Sequence, residues 1–437
     1  MKIRTLFPLL ALLVPVLKAE TLVVLSGNSI QEKIDAASDG DIIAIFGGTY
    51  NQNITVNKKV RLVELAGQDV YITGFVTFTD LEEMPPFQGF RVANIDIKGT
   101  KGLVVKDVDC DGTLNLVNGV PDVSVIGGSQ ASILQQAGSL VTNSTTTTGA
   151  FTVRNDADKT IAFRTTVKGE CSWGLDSGKA WFGYGKAKRI RCSGSSSNFV
   201  IVGATIDAEG SEDAPLDFRG NDNNLIVCNS KLINVKASSG HGVSDQREKV
   251  IHVSGSNHTG AIRNNYLQLV VTTGFSPRPI DFNNTSNCKI AFENNFFKKV
   301  EEGVSPRGLI FFTGPFGLSV ENNYIETSRL DIAIVQGGST QIDNLVGNIG
   351  ESLIVDGNPY MLEDNSPLID AGLIDPRYND LDGSRNDIGP SGGSWYDPEG
   401  WTTENPVVIS FDLSPDQVLG GVNDEVEISE IQAISAP

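Results

Sequence analysis

Five short segments, laid over one another, gather the residues able to do chemistry in this chain. They are "KRIRCS" from Lys188, "APLDFR" from Ala214, "KVIHVS" from Lys249, "RPIDFN" from Arg278 and "RGLIFF" from Arg307. In the first four, apolar residues alternate with polar ones, so the residue between two inward positions points outward. That outward column reads Arg191, Asp217, His252, Asp281 and Ile310, with Arg189 on one side and Ser193, Arg219, Ser254 and Asn283 on the other. Carboxylates beside an imidazole would favour its charged form, and neighbouring arginines would keep the carboxylates ionised. The candidate catalytic set is therefore Arg191, Asp217, Arg219, His252 and Asp281. The competing reading is a solvated ladder of alternating charge, worth a few tenths of a kcal/mol per pair.

A basic column at the strand starts, Lys188, Lys249, Arg278 and Arg307, joins Arg189 as a candidate substrate-binding set. His241, between Gly240 and Gly242 on an insertion relative to the other copies, is expected at the rim of the same face. Asp207, Glu209 and Asp213, with Glu212 and Asp217 nearby, are candidate calcium ligands, since hard cations take carboxylate oxygens. Asp380, Asp382 and Asp387 form an Asp-x-Asp-Gly run without full calcium-loop spacing and are read as a turn.

These columns exist only if the segments are strands stacked in register. Longer copies, such as "KVIHVSGSNHTGAIRNNYL" from Lys249 and "RPIDFNNTSNCKIAFENNFF" from Arg278, each hold a strand, a Gly/Asn/Ser turn, a second strand, Asn-Asn and an apolar residue. Tyr266, Phe296 and Tyr324 mark the end of successive copies about 30 residues apart. No copy can bury its apolar face alone, so the copies must stack, and turns this frequent exclude long helices. Asn suits the corners because it tolerates left-handed backbone and can hydrogen-bond its own main chain.

The stretch "SIQEKIDAASDGDIIAIFGGTYNQNITVNKKVRL", residues 29–62, resembles the opening of right-handed parallel β-helix proteins of the pectin-lyase-like superfamily. Ser29 as N-cap, with Glu32 three residues on and Ile30, Ile34 and Ala37 at helical spacing, independently predicts a short helix covering the open end. "SPLIDAGLIDPRYNDLDGSRNDIG", Ser366 to Gly389, is similar to the closing segment of secreted bacterial β-helix proteins, but continues Pro390-Ser-Gly-Gly where those run Ala-x-Glu. The resemblance implies an all-β, right-handed parallel β-helix with an N-terminal capping helix, and polysaccharide as partner. It is silent on activity, because this fold carries lyases, hydrolases, adhesins and spacers alike. Polygalacturonases of this fold carry Gly-His-Gly, as at 240–242, but also Asn-Thr-Asp, Asp-Asp and Arg-Ile-Lys, none of which occurs here. Lyases of the fold use Arg or Lys as base, often with calcium, and this class is favoured, with a non-catalytic surface or adhesion protein as the alternative.

The expected organisation is a signal peptide over 1–19, a β-helix over 20–365, a closing segment over 366–395 and a linker with a short β tail over 396–437. Lys2 and Arg4 before the apolar run Leu6–Leu17 mark the signal and imply export to the periplasm, cell surface or medium. No later run reaches the length of a membrane span. The formal charge of −19, more negative once Lys2, Arg4 and Lys18 are removed, argues against nucleic acid and anionic membranes as partners. The Thr-rich "LVTNSTTTTGAF" from Leu140 is expected to be a flexible loop. The five cysteines are read mainly as buried small apolar residues, Cys171 with Cys192 being a conceivable pair. No Gly-x-Ser-x-Gly elbow, phosphate-binding loop, zinc His-x-x-x-His or dinucleotide fingerprint is present.

Overall fold

The computed structural model describes residues 19–65, 69–117, 119, 121–208, 214–236, 249–271, 279–298, 310–312, 316–325, 334–335, 362–393, 396, 407–413 and 428–434. His241, Glu209, Asp213, Arg278, Arg307 and most of the signal segment lie outside the described residues. Among those described, every strand pairing is parallel except that of the hairpin Val407–Leu413 with Ile428–Ile434. Each strand pairs with its equivalent one coil later, which makes the chain a parallel β-solenoid.

Three ladders run the length of the coil. The first stacks Ile190–Cys192, Leu216–Phe218, Ile251–Ser256, Ile280–Ser286 and Ile310–Phe312. The second stacks Asn198–Val202, Asn224–Cys228, Thr259–Arg263 and Cys288–Glu293. The third carries Thr205–Asp207, Lys231–Lys236, Tyr266–Val271 and Phe296–Lys298. Inward positions of the first ladder, Cys171, Ile190, Leu216, Ile251, Ile280 and Ile310, are all buried in one continuous core with Trp173, Phe218 and Phe282. Burying each large apolar side chain contributes about 1.5–3 kcal/mol, so the core, extended by every added coil, supplies most of the stability.

Early and late coils turn the corner into the first ladder differently. Lys186–Ser195 is one bent strand, pairing through Lys186 and Ala187 with Thr205 and Ile206, and through Ile190–Cys192 with Leu216–Phe218. In the later coils the third-ladder strand Lys231–Lys236 and the first-ladder strand Ile251–Ser256 are separate elements. His241 falls in the sequence between these two strands.

The corner between the second and third ladders explains the Asn pairs, with a division of labour the sequence pattern did not show. The first Asn takes left-handed backbone: φ is 53° at Asn264, 53° at Asn294 and 51° at Asn322. The second is buried and bonds to the next coil as well as to the main chain around it. Asn265 N and Nδ2 both donate to Asn295 Oδ1, at 3.0 and 2.9 Å, and Asn295 N and Nδ2 donate to Asn323 Oδ1, both at 2.9 Å. Each side chain also caps a carbonyl: Asn265 Nδ2 reaches Val227 O, Asn295 Nδ2 reaches Ile262 O and Asn323 Nδ2 reaches Phe292 O. Coil contacts are equally tight at Gly255, where φ is +114° and a Cβ would stand 1.6 Å from the Gly220 carbonyl oxygen.

One expectation about the fold needs correction. The Thr-rich stretch is no loop: Ser129–Asn143, Thr146–Thr147 and Phe151–Phe163 are strands of the coil, joined through left-handed Ser144. Its threonines bond within the stack, as Thr142 Oγ1 does to Thr165 Oγ1 at 2.8 Å, and β-branched residues suit the pleat. The segment 366–393 lies along the flank of the solenoid. Leu368 and Ile388 cover the outward aromatic column Tyr266, Phe296 and Tyr324. Asn264 Nδ2 donates to Asn386 Oδ1, Asp387 O and Gly389 O, and Asn229 Nδ2 donates to Pro390 O and Gly392 O. The unusual Pro390-Ser-Gly-Gly is therefore part of the docking contact. The cysteines agree with their reading as buried packing residues: all five are buried and unpaired, Cys171 and Cys192 included. Burial pushes the Cys110 thiol up to about 11 and Cys228 up to about 12, which makes them inert packing residues.

The helix Ile30–Ala36 forms as the spacing predicts, with Ser29 Oγ accepting from Glu32 N at 3.2 Å and Ile30 and Ile34 buried. It packs against strands Thr21–Val24, Ile42–Ile45 and Ile54–Val56. Among the described residues no helix is long and apolar enough to cross a membrane.

Candidate functional site

Register alone brings the charged residues together. Glu170 pairs with Arg189 and Ser172 with Arg191; Arg191 pairs with Asp217, Asp217 with His252 and His252 with Asp281. The next residue in this outward column is Phe311. Ile310, expected there, is one residue out of register and lies in the core opposite Ile280. A one-residue slip moves a side chain to the other face.

The expected solvated face is in fact a buried charge cluster. Asp217 and Asp281 are each 1% exposed, and Arg189, expected to face outward, is 6% exposed. Both oxygens of Asp217 are saturated. Oδ2 accepts from Arg189 Nη2 at 2.8 Å, Arg219 Nη2 at 2.8 Å, Arg219 Nε at 3.1 Å and Arg191 Nε at 3.4 Å. Oδ1 accepts from Arg219 Nε at 3.0 Å and meets His252 Nδ1 at 2.9 Å. Burial by itself raises the Asp217 carboxyl, but the His252 and Arg219 hydrogen bonds more than reverse this and hold it well below the usual carboxylate range. An ionised carboxylate only accepts, so the proton between the two lies on His252 Nδ1. In the neutral imidazole the opposite nitrogen, Nε2, is then a proton acceptor.

Around this centre Glu170 approaches Arg191 at 3.3 Å and Arg189 at 3.7 Å. Lys249 makes an ion pair with Asp281, and its main-chain carbonyl accepts from Asn234 Nδ2 at 2.8 Å. Among the described residues, Arg189, Arg191, Arg219 and Lys249 thus face Glu170, Asp217 and Asp281, an excess of one positive charge before His252 is counted. The side chains of Arg191 and Arg219 are 32% and 48% exposed, so these two guanidiniums reach solvent, whereas Arg189 is enclosed. A buried carboxylate surrounded by guanidiniums cannot serve as a calcium ligand, which removes Asp217 from that set.

The five candidate catalytic residues therefore do converge, with Arg189 as a buried brace. Of the described members of the basic column, Lys249 is committed to Asp281, while Lys188 stands exposed beside a separate groove. Asp207 is exposed on that groove, and among the described residues no group of three or more His, Cys, Asp or Glu is placed to hold a metal ion. Glu170 and Asn234 were not foreseen. Glu170 belongs to the coil before the aligned copies, and extending the alternation back through "TVKGECSW" from Thr166 would have found it. The remaining histidine, His258, is buried and its Nε2 donates to Ser254 O at 3.1 Å, a bond within the coil.

The chain is thus a parallel β-solenoid with a buried Arg–Asp–His cluster on one face. No protein-family model matches the sequence, and no curated protein matches it. Among solved structures it is similar to the crystal structure of pectate lyase Pel9A, with a TM-score of 0.33 and 15% identity, covering 85% of this chain and 96% of that one.

Proposed function

We propose that this is an exported polysaccharide-active protein, a lyase in which His252 is the base and Arg191 and Arg219 bind a carboxylate of the glycan. The observation that carries this reading is the His252 Nδ1 to Asp217 Oδ1 contact of 2.9 Å, which fixes the ring and, in the neutral imidazole, leaves Nε2 as acceptor beside two solvent-reaching guanidiniums. In a uronate sugar, the proton next to the carboxylate passes to Nε2 and its electron pair forms the new double bond. The bond to the leaving oxygen breaks, and that oxygen takes a proton from water. Guanidinium hydrogen bonds to the substrate carboxylate stabilise the charge that develops. Asp217 is too strongly held in its ionised form to act as the base, and its role is to orient His252 and the arginines. The solenoid is read as right-handed, the hand parallel crossovers overwhelmingly adopt, with the helix Ile30–Ala36 as its N-terminal cap.

The deciding experiment is a panel of uronic-acid polysaccharides near neutral pH, following unsaturated products with and without a chelator. The expected result is product from wild type, loss of at least about 100-fold in His252→Ala, and no effect of chelation. Loss on chelation would assign the neutralising charge to calcium held by Asp207, Glu209 and Asp213. Binding without any product would reassign the face to a non-catalytic surface or adhesion role.

A further inference from the structure

Lys168, Lys186 and Lys188 line an open groove of about 500 Å³ together with Val167, Ala187, Thr205 and Asp207. The groove sits where the third ladder bends into the first. Val167 stacks on Ala187, so Lys168 and Lys188, each next in sequence, belong to the same corner of adjacent coils. Lys186 faces outward on the third ladder opposite Thr166 and Thr205. All three lysines are exposed, and none makes an ion pair among the described residues, although the chain carries 53 acidic residues against 34 basic ones. Cations left unneutralised in a concavity of an acidic protein concentrate positive potential there, because low-dielectric walls focus the field. The volume is within the usual range for small-ligand sites, and Asp207 is the one carboxylate on its lining.

The strands that line the groove also run on into the charged cluster. The strand that carries Lys186 and Lys188 continues directly into Arg189 and Arg191, and the strand that carries Lys168 continues into Glu170. A chain that presents one anionic group to Arg191 and Arg219 and runs round this corner places its next anionic groups among the lysines.

We propose that this lysine groove is an accessory subsite for the carboxylate or sulfate groups of a glycan strand extending from the Asp217 cluster. The inference rests on the proposed reading of that cluster for its direction, but not for its existence. Lysine suits such a subsite, since a compact charge on a flexible stem follows anionic groups at irregular spacing, where a rigid guanidinium fork would demand one geometry.

The experiment measures equilibrium binding of the full chain to a polyuronate, a sulfated neutral glucan and the unsulfated glucan, at low and high salt. The triple variant Lys168→Gln, Lys186→Gln and Lys188→Gln is compared with wild type and with a Lys289→Gln control on the second ladder. We expect both polyanions to bind wild type, the neutral glucan not to bind, and the triple variant to bind about tenfold more weakly with a shallower salt dependence. The control binds as wild type does. Preference for one polyanion identifies the anionic group. If the polyuronate is turned over but the triple variant binds it as wild type does, the groove is not a subsite. If lysine-dependent binding is found with no unsaturated product, the subsite stands and the lyase reading fails. Equal binding of the neutral glucan overturns the electrostatic basis of the proposal.

Discussion

Two polar ladders run through the same coils, and they solve burial in opposite ways. At one corner Asn265, Asn295 and Asn323 form a neutral stack in which each amide oxygen accepts from the coil before it and each amide nitrogen caps a carbonyl. On the first ladder the same spacing carries Arg191, Asp217, His252 and Asp281. There, among the described residues, the buried oxygens of Asp281 lack hydrogen-bond partners and are met by the Lys249 charge. A neutral, satisfied ladder contributes stability at low risk, whereas desolvating charge costs several kcal/mol per ion unless pairing is nearly perfect. The difference teaches where to look for function: the solenoid has a stable neutral solution for stacked polar residues, and departs from it on one face.

Substitutions can break this contrast, the largest effect first. Asp217→Ala leaves Arg189 enclosed without its 2.8 Å carboxylate contact, and should cost about 3–5 kcal/mol in chemical denaturation, as well as turnover. Asp217→Asn should retain more stability while still losing turnover, since the amide can no longer hold the Nδ1–H form of His252. Asn295→Ala should cost about 2–4 kcal/mol, because it removes the acceptor of Asn265 N and of one Asn265 Nδ2 hydrogen and the donor to the Ile262 carbonyl, yet it should leave glycan binding at wild-type levels. If Asn295→Ala weakened binding more than Asp217→Asn did, the assignment of the two ladders would be reversed.

His252→Ala should move stability by only about 1 kcal/mol while abolishing turnover, because its ring is at the cluster's edge. The smallest effect should be a pH dependence in the flank segment. Burial raises the Asp380 carboxyl to about 6, partly offset by the amides of Gly393 and Asp387. A raised carboxyl binds its proton more tightly folded than unfolded, so stability is greatest below the ordinary carboxylate value and falls as pH rises toward 6. Thermal melts across roughly pH 4 to 7 should show this slope in wild type and lose it in Asp380→Asn. Asp217 has the opposite sign: its contribution is complete above the ordinary carboxylate value and disappears only in stronger acid, as pH falls through its depressed folded value.

Much of this was legible in the sequence because a solenoid is nearly one-dimensional. The alternation in "KVIHVS" and "RPIDFN", the Asn pairs and the helix at Ile30–Ala36 are all local patterns, and local patterns suffice when each coil touches only its neighbours. Extrapolated stacking also placed Arg191, Asp217, His252 and Asp281 in one column. Ile310 failed because "LIFF" is apolar throughout, so alternation could not fix its register. The Thr-rich strands failed because composition was read in place of period.

What the sequence determined by itself, then, is the coil and the membership of its columns, through periodic burial of apolar residues. What only the tertiary structure decided is the environment of those columns. Whether Asp217 is solvated or sealed beneath three arginines, whether Lys249 serves a ligand or Asp281, and that the 366–393 segment lies against the flank depend on groups far apart in the chain. Burial and electrostatics are sums over such neighbours, and no local pattern contains them.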